Sequence, residues 1–258
     1  VPAKAAEKIR LMAKKFRLPT IAEEAERRFV EAGHPEALLA LAEVFEMEDE
    51  ARSERRVERL RRESQLPPGK TFATLDVSRL PAALRHRLSE LAKGDFALEA
   101  QNVLAFGLPG TGKTHAMAAI GHALVDAGRP VFFSPAFKLV QDLLAAKRDL
   151  QLPRVLRKLD RFEVLILDDI GYVQQSPEEV EVLFTLLAER YERRSLIITS
   201  NLVFSEWDQI FKNPMTTAAA IDRVVHHSTI LEFDVDSYRT EQATRRQLKK
   251  GAGENQPG

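Results

Sequence analysis

Eight consecutive residues constrain this chain more than any other stretch: Gly107-Leu108-Pro109-Gly110-Thr111-Gly112-Lys113-Thr114. They fit G-x-x-x-x-G-K-[ST], the pattern of a phosphate-binding loop. Glycines let the backbone fold tightly around an anion, with N–H groups aimed at its oxygens. Lys113 brings a compact positive charge to the β- and γ-phosphates, and Thr114 a hydroxyl for Mg²⁺. The pattern is informative only between a strand and a helix. Asn102 to Phe106 is a short apolar run that reads as a buried strand. Lys113 to Ala127 reads as a helix, stopped by Gly128 with Pro130 just beyond. The positive N-terminal end of that helix faces the same phosphates. Gly107, Pro109, Gly110, Thr111, Gly112, Lys113, Thr114 and the adjoining His115 are the candidate nucleotide-binding residues.

Downstream, apolar runs alternate with helical patterns. Val131 to Ser134, Val164 to Leu167, Leu196 to Thr199 and Thr229 to Phe233 read as further strands. Such alternation predicts a parallel sheet covered by helices on both faces, with ligands at the carboxyl ends of its strands. The run from Val164 ends in Asp168 and Asp169. Asp168 suits Mg²⁺ held through its water shell, and Asp169 suits orientation of an attacking water. An isolated strand followed by an acidic turn would look the same. Asn201 follows the run from Leu196 and offers an amide near the γ-phosphate, although asparagine after a strand is also an ordinary turn residue. Arg223 lies on a helix from Ala218 to His226, just before the last strand. It is either a surface arginine or one that stabilises transition-state charge in a neighbouring subunit. His226 and His227 are adjacent, which on a helix sends them to different faces and predicts no metal pair.

The first 66 or so residues read as helical. Thr20 and Glu23 form a capping-box pattern, Gly33 ends that helix, and Pro35 begins the next. From Glu36 to Gln65 nothing breaks the helix, and Leu38, Leu41 and Phe45 give its first turns an apolar face. Then Arg52, Arg55, Arg56, Arg59 and Arg62 recur at helical spacing. They suit nucleic-acid phosphates, but Glu48 to Arg52 and Glu58 to Arg62 also have the spacing of ion pairs on a solvated helix. Pro67-Pro68-Gly69 reads as a linker. Residues 70 to 100 read as a connector holding a helix from Ala82 to Lys93, with no role legible in it. Ala136 to Asp160 is long and basic, with Lys138, Lys147, Arg148, Arg154, Arg157 and Lys158. It is either a solvated helical pair or a second DNA contact. Arg245, Arg246, Lys249 and Lys250 form a basic tail before a disordered end, Gly251 to Gly258.

Charge adds little, because 38 Lys and Arg balance 38 Asp and Glu, so any nucleic-acid signal must be local. The absence of cysteine excludes disulfides and thiolate metal sites and suits the cytoplasm. No apolar run approaches the roughly 20 residues of a membrane span, and the start has no secretory pattern. These boundaries predict a helical domain at 1–69 for DNA or partner contact, a nucleotide domain at 70–238, and a tail at 239–258.

The loop GLPGTGKTH, the strand VLILDDIGY, the segment ERYERRSLIITSN and the stretch FSEWDQIF followed by AAAIDRVVHHS together resemble the IstB family. These are ATP-binding helpers of insertion-sequence transposons, related to the DnaC helicase loader. RSERRVERLRRESQLP before the nucleotide domain also fits, so the resemblance covers most of the chain. It implies an α/β fold: an AAA+ P-loop core behind a small all-helical N-terminal domain, without a full C-terminal lid. It implies ATP and Mg²⁺ as cofactors, with Lys113, Thr114 and Asp168 at the phosphates and metal. It also implies Asp169 for water activation, Asn201 as first sensor, and Arg223 as a finger acting across a subunit interface. The basic insertion resembles the DNA-contacting helix of the DnaA/DnaC clade. Similar proteins assemble on duplex DNA with ATP, as a ring or spiral, and recruit the transposase, with hydrolysis regulating release. Two departures stand out. The second carboxylate is aspartate where many AAA+ proteins have glutamate, which implies slow turnover, and Arg194 stands where relatives often have glycine.

Three other functions fit parts of the pattern. A helicase loader would share the engine but differ in its N-terminal contacts. A P-loop kinase for a small acceptor would need a mobile arginine-rich lid, and none is legible. A purely structural DNA-binding role would leave Lys113, Thr114 and Asp168 without purpose.

Overall fold

The computed structural model describes residues 2–172, 176–211, 213–235 and 237–238. The basic tail and the expected lack of a full lid fall outside the described residues. The chain divides into two compact units, with the division after Arg59.

The first unit is helical. It holds α1 (Pro2–Lys15), α2 (Pro19–Glu31) and most of α3 (Ala37–Glu63). Their apolar stripes close a small core from Ile9, Ala13, Phe16, Ala22, Leu38 and Phe45. The Phe16 and Phe45 rings stack at 5.7 Å. The expected capping box is not formed. Leu18 is the N-cap of α2 without a side-chain cap, and Thr20 lies inside the first turn. Pro19 explains the shift, since its fixed φ is pre-set for the first helical position. The helix α3 stops at Glu63, and Gln65 takes a left-handed φ of 54°.

The second unit is a parallel five-stranded sheet in the order β2-β3-β4-β1-β5. The strands are β1 (Asn102–Phe106), β2 (Val131–Pro135), β3 (Val164–Asp168), β4 (Ser195–Ser200) and β5 (Ser228–Glu232). The helices are α4 (Ala82–Lys93), α5 (Asp95–Leu98), α6 (Lys113–Asp126), α7 (Ala136–Arg148), α8 (Leu152–Leu159), α9 (Pro177–Arg190), α10 (Asp208–Phe211) and α11 (Pro214–Val225). All five expected strands form, within two residues of their expected limits. The alternation of side chains along each strand divides the core in two. Val103, Ala105, Ile166 and Ile197 pack with α4 and α6 residues such as Leu88, Met117 and Leu124. Leu104, Phe106, Leu167 and Ile198 face the other way, with Leu143, Leu186 and Trp207. The basic stretch after β2 is a pair of helices, α7 and α8.

Arg190, at the end of α9, is 2% exposed. Its guanidinium donates to the carbonyls of Leu159, Phe162, Glu163 and Ser195. Burial pushes its pKa down to about 10, which still leaves it charged at neutral pH. One side chain thus ties the exit of α8 to the starts of β3 and β4. Among the described residues, no helix is long and apolar enough to cross a membrane.

Candidate active site

The phosphate loop leaves the carboxyl end of β1. Gly107 has φ 150°, and a Cβ there would sit 2.6 Å from the carbonyl oxygen of Phe233, so the backbones meet too closely for a side chain. Gly112 is the N-cap of α6 with φ 97°, which turns the loop into the helix at Lys113. Lys113 is buried and folds back on its own loop. Its Nζ donates to the carbonyls of Gly107 (2.6 Å) and Leu108 (2.9 Å). The hydroxyl of Thr111 donates to Leu108 at 2.9 Å.

Strand order brings the remaining residues to this loop. β4 lies between β3 and β1, with Phe106 in register with Ser200 and Leu167 with Ile198. The carboxyl end of β4 therefore stands between the two aspartates and the phosphate loop. Thr199 donates its hydroxyl to Asp168 Oδ1 at 2.7 Å and accepts the backbone N–H of Asp169 at 2.8 Å. Asp169 itself is left-handed, with φ 62°, a conformation unusual for a residue with a side chain. Asn201 follows, and its Oδ1 is buried with no partner among the described residues.

Asp169, Thr199, Asn201 and the loop from Pro109 line a cavity of about 430 Å³, to which Asp168 is tied through its bond with Thr199; the volume is within the usual range of roughly 300–1,000 Å³ for small-molecule sites. Its floor is the loop from Pro109 through Thr114 to His115, and Asp169, Thr199 and Asn201 stand across from it. The chemistry fits a nucleoside triphosphate with a hard cation: backbone N–H groups, a lysine and a helix N-terminus for phosphate, and a hydroxyl and carboxylates for the metal.

The opposite wall was not legible in the sequence. It comes from the connector, through Thr74, Leu75, Asp76 and Leu80, and from Val235 and Tyr238 after β5. The Tyr238 N–H donates to Gly110 O at 3.0 Å. His115 Nε2 lies 3.0 Å from Thr74 Oγ1 and 3.1 Å from Thr71 O, which pins the connector to the first turn of α6. The Thr71–Thr74 pair, with His115 directly after the loop, is the only signal for this in the sequence. Thr199, as the last residue of a strand, likewise carries no site motif in the sequence.

Arg223 lies elsewhere. Its guanidinium stacks 4.6 Å above Phe184 of α9 and donates to Ala219 O. It lines a smaller cavity of about 140 Å³ with Asn102, the first residue of β1. It is therefore at the amino edge of the sheet, opposite its own phosphate loop. The basic candidates are exposed, apart from half-buried Lys147, and partly paired. Arg52 and Arg55 share Glu48, and Arg52 also covers the Phe16 ring at 4.2 Å. Lys147 pairs with Glu181 and Arg148 with Glu178. Lys138, Arg56, Arg59 and Arg62 are exposed side chains as well, and Arg56 and Arg62 have partners of their own. Arg194 meets no backbone demand for glycine, because the left-handed residue of its turn is Glu192, φ 54°.

The expectation that His226 and His227 point to different faces is corrected. α11 ends at Val225, so His226 and His227 straddle a helix exit rather than sharing a helix. Their rings meet at 4.2 Å, with Glu192 near both.

Comparison with known proteins identifies the family. The family model described as IstB-like ATP binding protein matches residues 11–246. An insertion-sequence ATP-binding protein of Sinorhizobium fredii (strain NBRC 101917 / NGR234) is 43% identical, over 93% of this chain and 82% of its own. One named for insertion sequence IS21 in Pseudomonas aeruginosa is 39% identical, over 77% and 75%. Among solved structures, DnaI aligns with a TM-score of 0.53 at 21% identity, over 66% of this chain and 95% of its own. AMPPCP-bound DnaA from Aquifex aeolicus aligns with 0.55 at 19%, over 72% and 57%. At such identities the likeness is one of fold, that of the AAA+ core. The chain belongs to the IstB-like ATP-binding proteins of insertion sequences.

Proposed function

We propose that this protein is an ATP- and DNA-dependent regulator of transposition that hydrolyses ATP with Mg²⁺. The observation that carries this is the meeting of three strand ends at one cavity, where Asp169, Thr199 and Asn201 line the space with Lys113 and Thr114, and Thr199 bonds Asp168 as well. Lys113 exchanges its loop carbonyls for the β- and γ-phosphate oxygens. Thr114 and Asp168 hold the cation's shell. Mg²⁺, when bound, supplies charge neutralisation across the phosphates. Asp169 accepts hydrogen bonds from the attacking water and orients it, and the Asn201 amide positions that water or the γ-phosphate.

Arg223 completes the site in trans. Its place at the far edge of the sheet supports this, since it is remote from its own loop and lines a surface cavity there. ATP then acts as a switch: the γ-phosphate favours the assembled state, and its loss removes that bias. The assembly holds duplex DNA through the arginines of α3 and the basic residues of α7, marks or bends it, and recruits the transposase of the same insertion sequence. Residues 1–69 serve DNA or partner contact, and 70–238 form the ATPase domain.

The test is ATPase rate and particle size measured in the same samples, with no DNA, duplex DNA or single-stranded DNA. Joint stimulation by duplex is expected. Stimulation by single strands or a replicative helicase alone would favour a loader, and phosphoryl transfer to a small acceptor would indicate a kinase.

A further inference from the structure

The cluster of Glu192, His226 and His227 lies apart from the nucleotide cavity. All three side chains are exposed, and their candidate ligand atoms lie within 4.8 Å of one another. Glu192 Oε1 is 3.9 Å from His226 Nδ1 and 3.9 Å from His227 Nε2. Ligands at about 2.0–2.1 Å around a tetrahedral ion stand roughly 3.3 Å apart. Exposed side chains close that gap by small torsions, with no backbone movement. We propose that these residues form a site for a zinc-class transition-metal ion, with water completing the shell.

Two features of the backbone build the cluster. His226 caps the end of α11, its N–H donating to Asp222 O, while the carbonyl of His227 already accepts from Asn102 N at 2.7 Å. Two adjacent residues thus leave a helix in directions that bring their rings together, which the helix itself forbids. Glu192 is held left-handed in the turn after α9. Such a conformation is strained in a residue with a Cβ and gathers at ligand sites. Here it delivers the carboxylate to the two imidazoles. The Tyr191 hydroxyl lies 3.1 Å from His226 Nδ1, and a metal ion at that nitrogen would take its place.

The donor set also selects the metal. Two imidazoles and one carboxylate suit zinc, cobalt or nickel, and not magnesium or calcium, which take oxygen ligands. Glu192 and His227 line the same small cavity as Arg223. A bound ion would clamp the exit of α11 to the turn after α9, one helical turn from that guanidinium. The metal site does not depend on the assigned role of Arg223.

The test uses the full chain without nucleotide. Zn²⁺ uptake is read by competition with a chromogenic chelator, and thermal unfolding is followed with Zn²⁺ or with chelator. The wild type is expected to take up about one equivalent that raises its unfolding midpoint. His227→Ala and Glu192→Gln should each weaken uptake by at least about tenfold, since even outer-shell partners command 10–100-fold. Both should unfold as the wild type does in chelator. His34→Ala with His86→Ala, two exposed histidines elsewhere, should leave uptake intact. Equal uptake by the wild type, His227→Ala and Glu192→Gln, or no uptake by the wild type, would overturn the site.

Discussion

The Thr199 hydroxyl donates to Asp168 at 2.7 Å while it accepts the N–H of Asp169 at 2.8 Å. One side chain from β4 therefore fixes the carboxylate of Asp168, the last residue of β3, and the backbone of Asp169 just after it. It reads one as a side-chain acceptor and the other through its strained backbone. Thr199→Val removes both bonds at nearly constant volume. Loss of a hydrogen bond to a charged group costs about 1.5–3 kcal/mol. Turnover should fall roughly 10–100-fold and the Mg²⁺ requirement should rise, both read from steady-state ATPase titrations, while Thr199→Ser should restore most of the rate.

Lys113 and Asp169 should fail differently. Lys113→Ala loses the only lysine in the cavity's phosphate loop, and ATP-dependent assembly should disappear in light scattering. Asp169→Asn keeps a polar group but loses the carboxylate, so ATP should bind and persist, leaving long-lived complexes on DNA. Assembly by Lys113→Ala equal to wild type would sink the switch mechanism.

Arg223 rests on Phe184 at the amino edge of the sheet, away from its own loop. Arg223→Ala should therefore leave ATP affinity of the isolated subunit within about twofold. Cooperative assembly should be lost and DNA-stimulated turnover should fall by roughly 10³-fold, the usual scale for an arginine supplied in trans. A matching loss of subunit affinity would mean the arginine acts in cis.

Glu48 holds Arg52 and Arg55 on the exposed face of α3. Exposed pairs are worth only about 0–1 kcal/mol, so phosphates can compete for these arginines. Replacing Arg55, Arg56 and Arg59 with Ala should weaken duplex binding for all sequences and flatten the log–log salt slope by about 2–3. Glu48→Gln should strengthen binding. Unchanged binding in both variants would leave this face as solvated ion pairs.

Arg190 satisfies four carbonyls around the starts of β3 and β4. Arg190→Met fills the space but leaves buried acceptors unmet, and should cost about 2–4 kcal/mol in urea unfolding. Arg190→Lys should recover part of the loss, since an ammonium reaches fewer carbonyls than a guanidinium fork.

What the sequence determined by itself was local. Runs such as VLIL and LIIT are short, apolar and β-branched, so they had to become buried strands, and G-x-x-x-x-G-K-T between a strand and a helix had to become a phosphate loop. Lys113 and Thr114 were legible because they close the loop motif, Asp169 and Asn201 because each follows a strand, and all four line one cavity. Tertiary structure decided the rest. Period-two patterning says that a strand is buried but not which strand lies beside it. Only the order β2-β3-β4-β1-β5 puts Thr199 against the two aspartates. The connector from Thr71 to Leu80 carries no motif, and becomes a cavity wall because His115 and the loop stand against it. The Thr20 capping pattern yielded to Pro19, whose fixed φ started the helix first. His226 and His227 were separable on paper because helical spacing was assumed to continue. The helix stops at Val225, and the two side chains that a helix would splay meet at its exit, beside a carboxylate from a different turn.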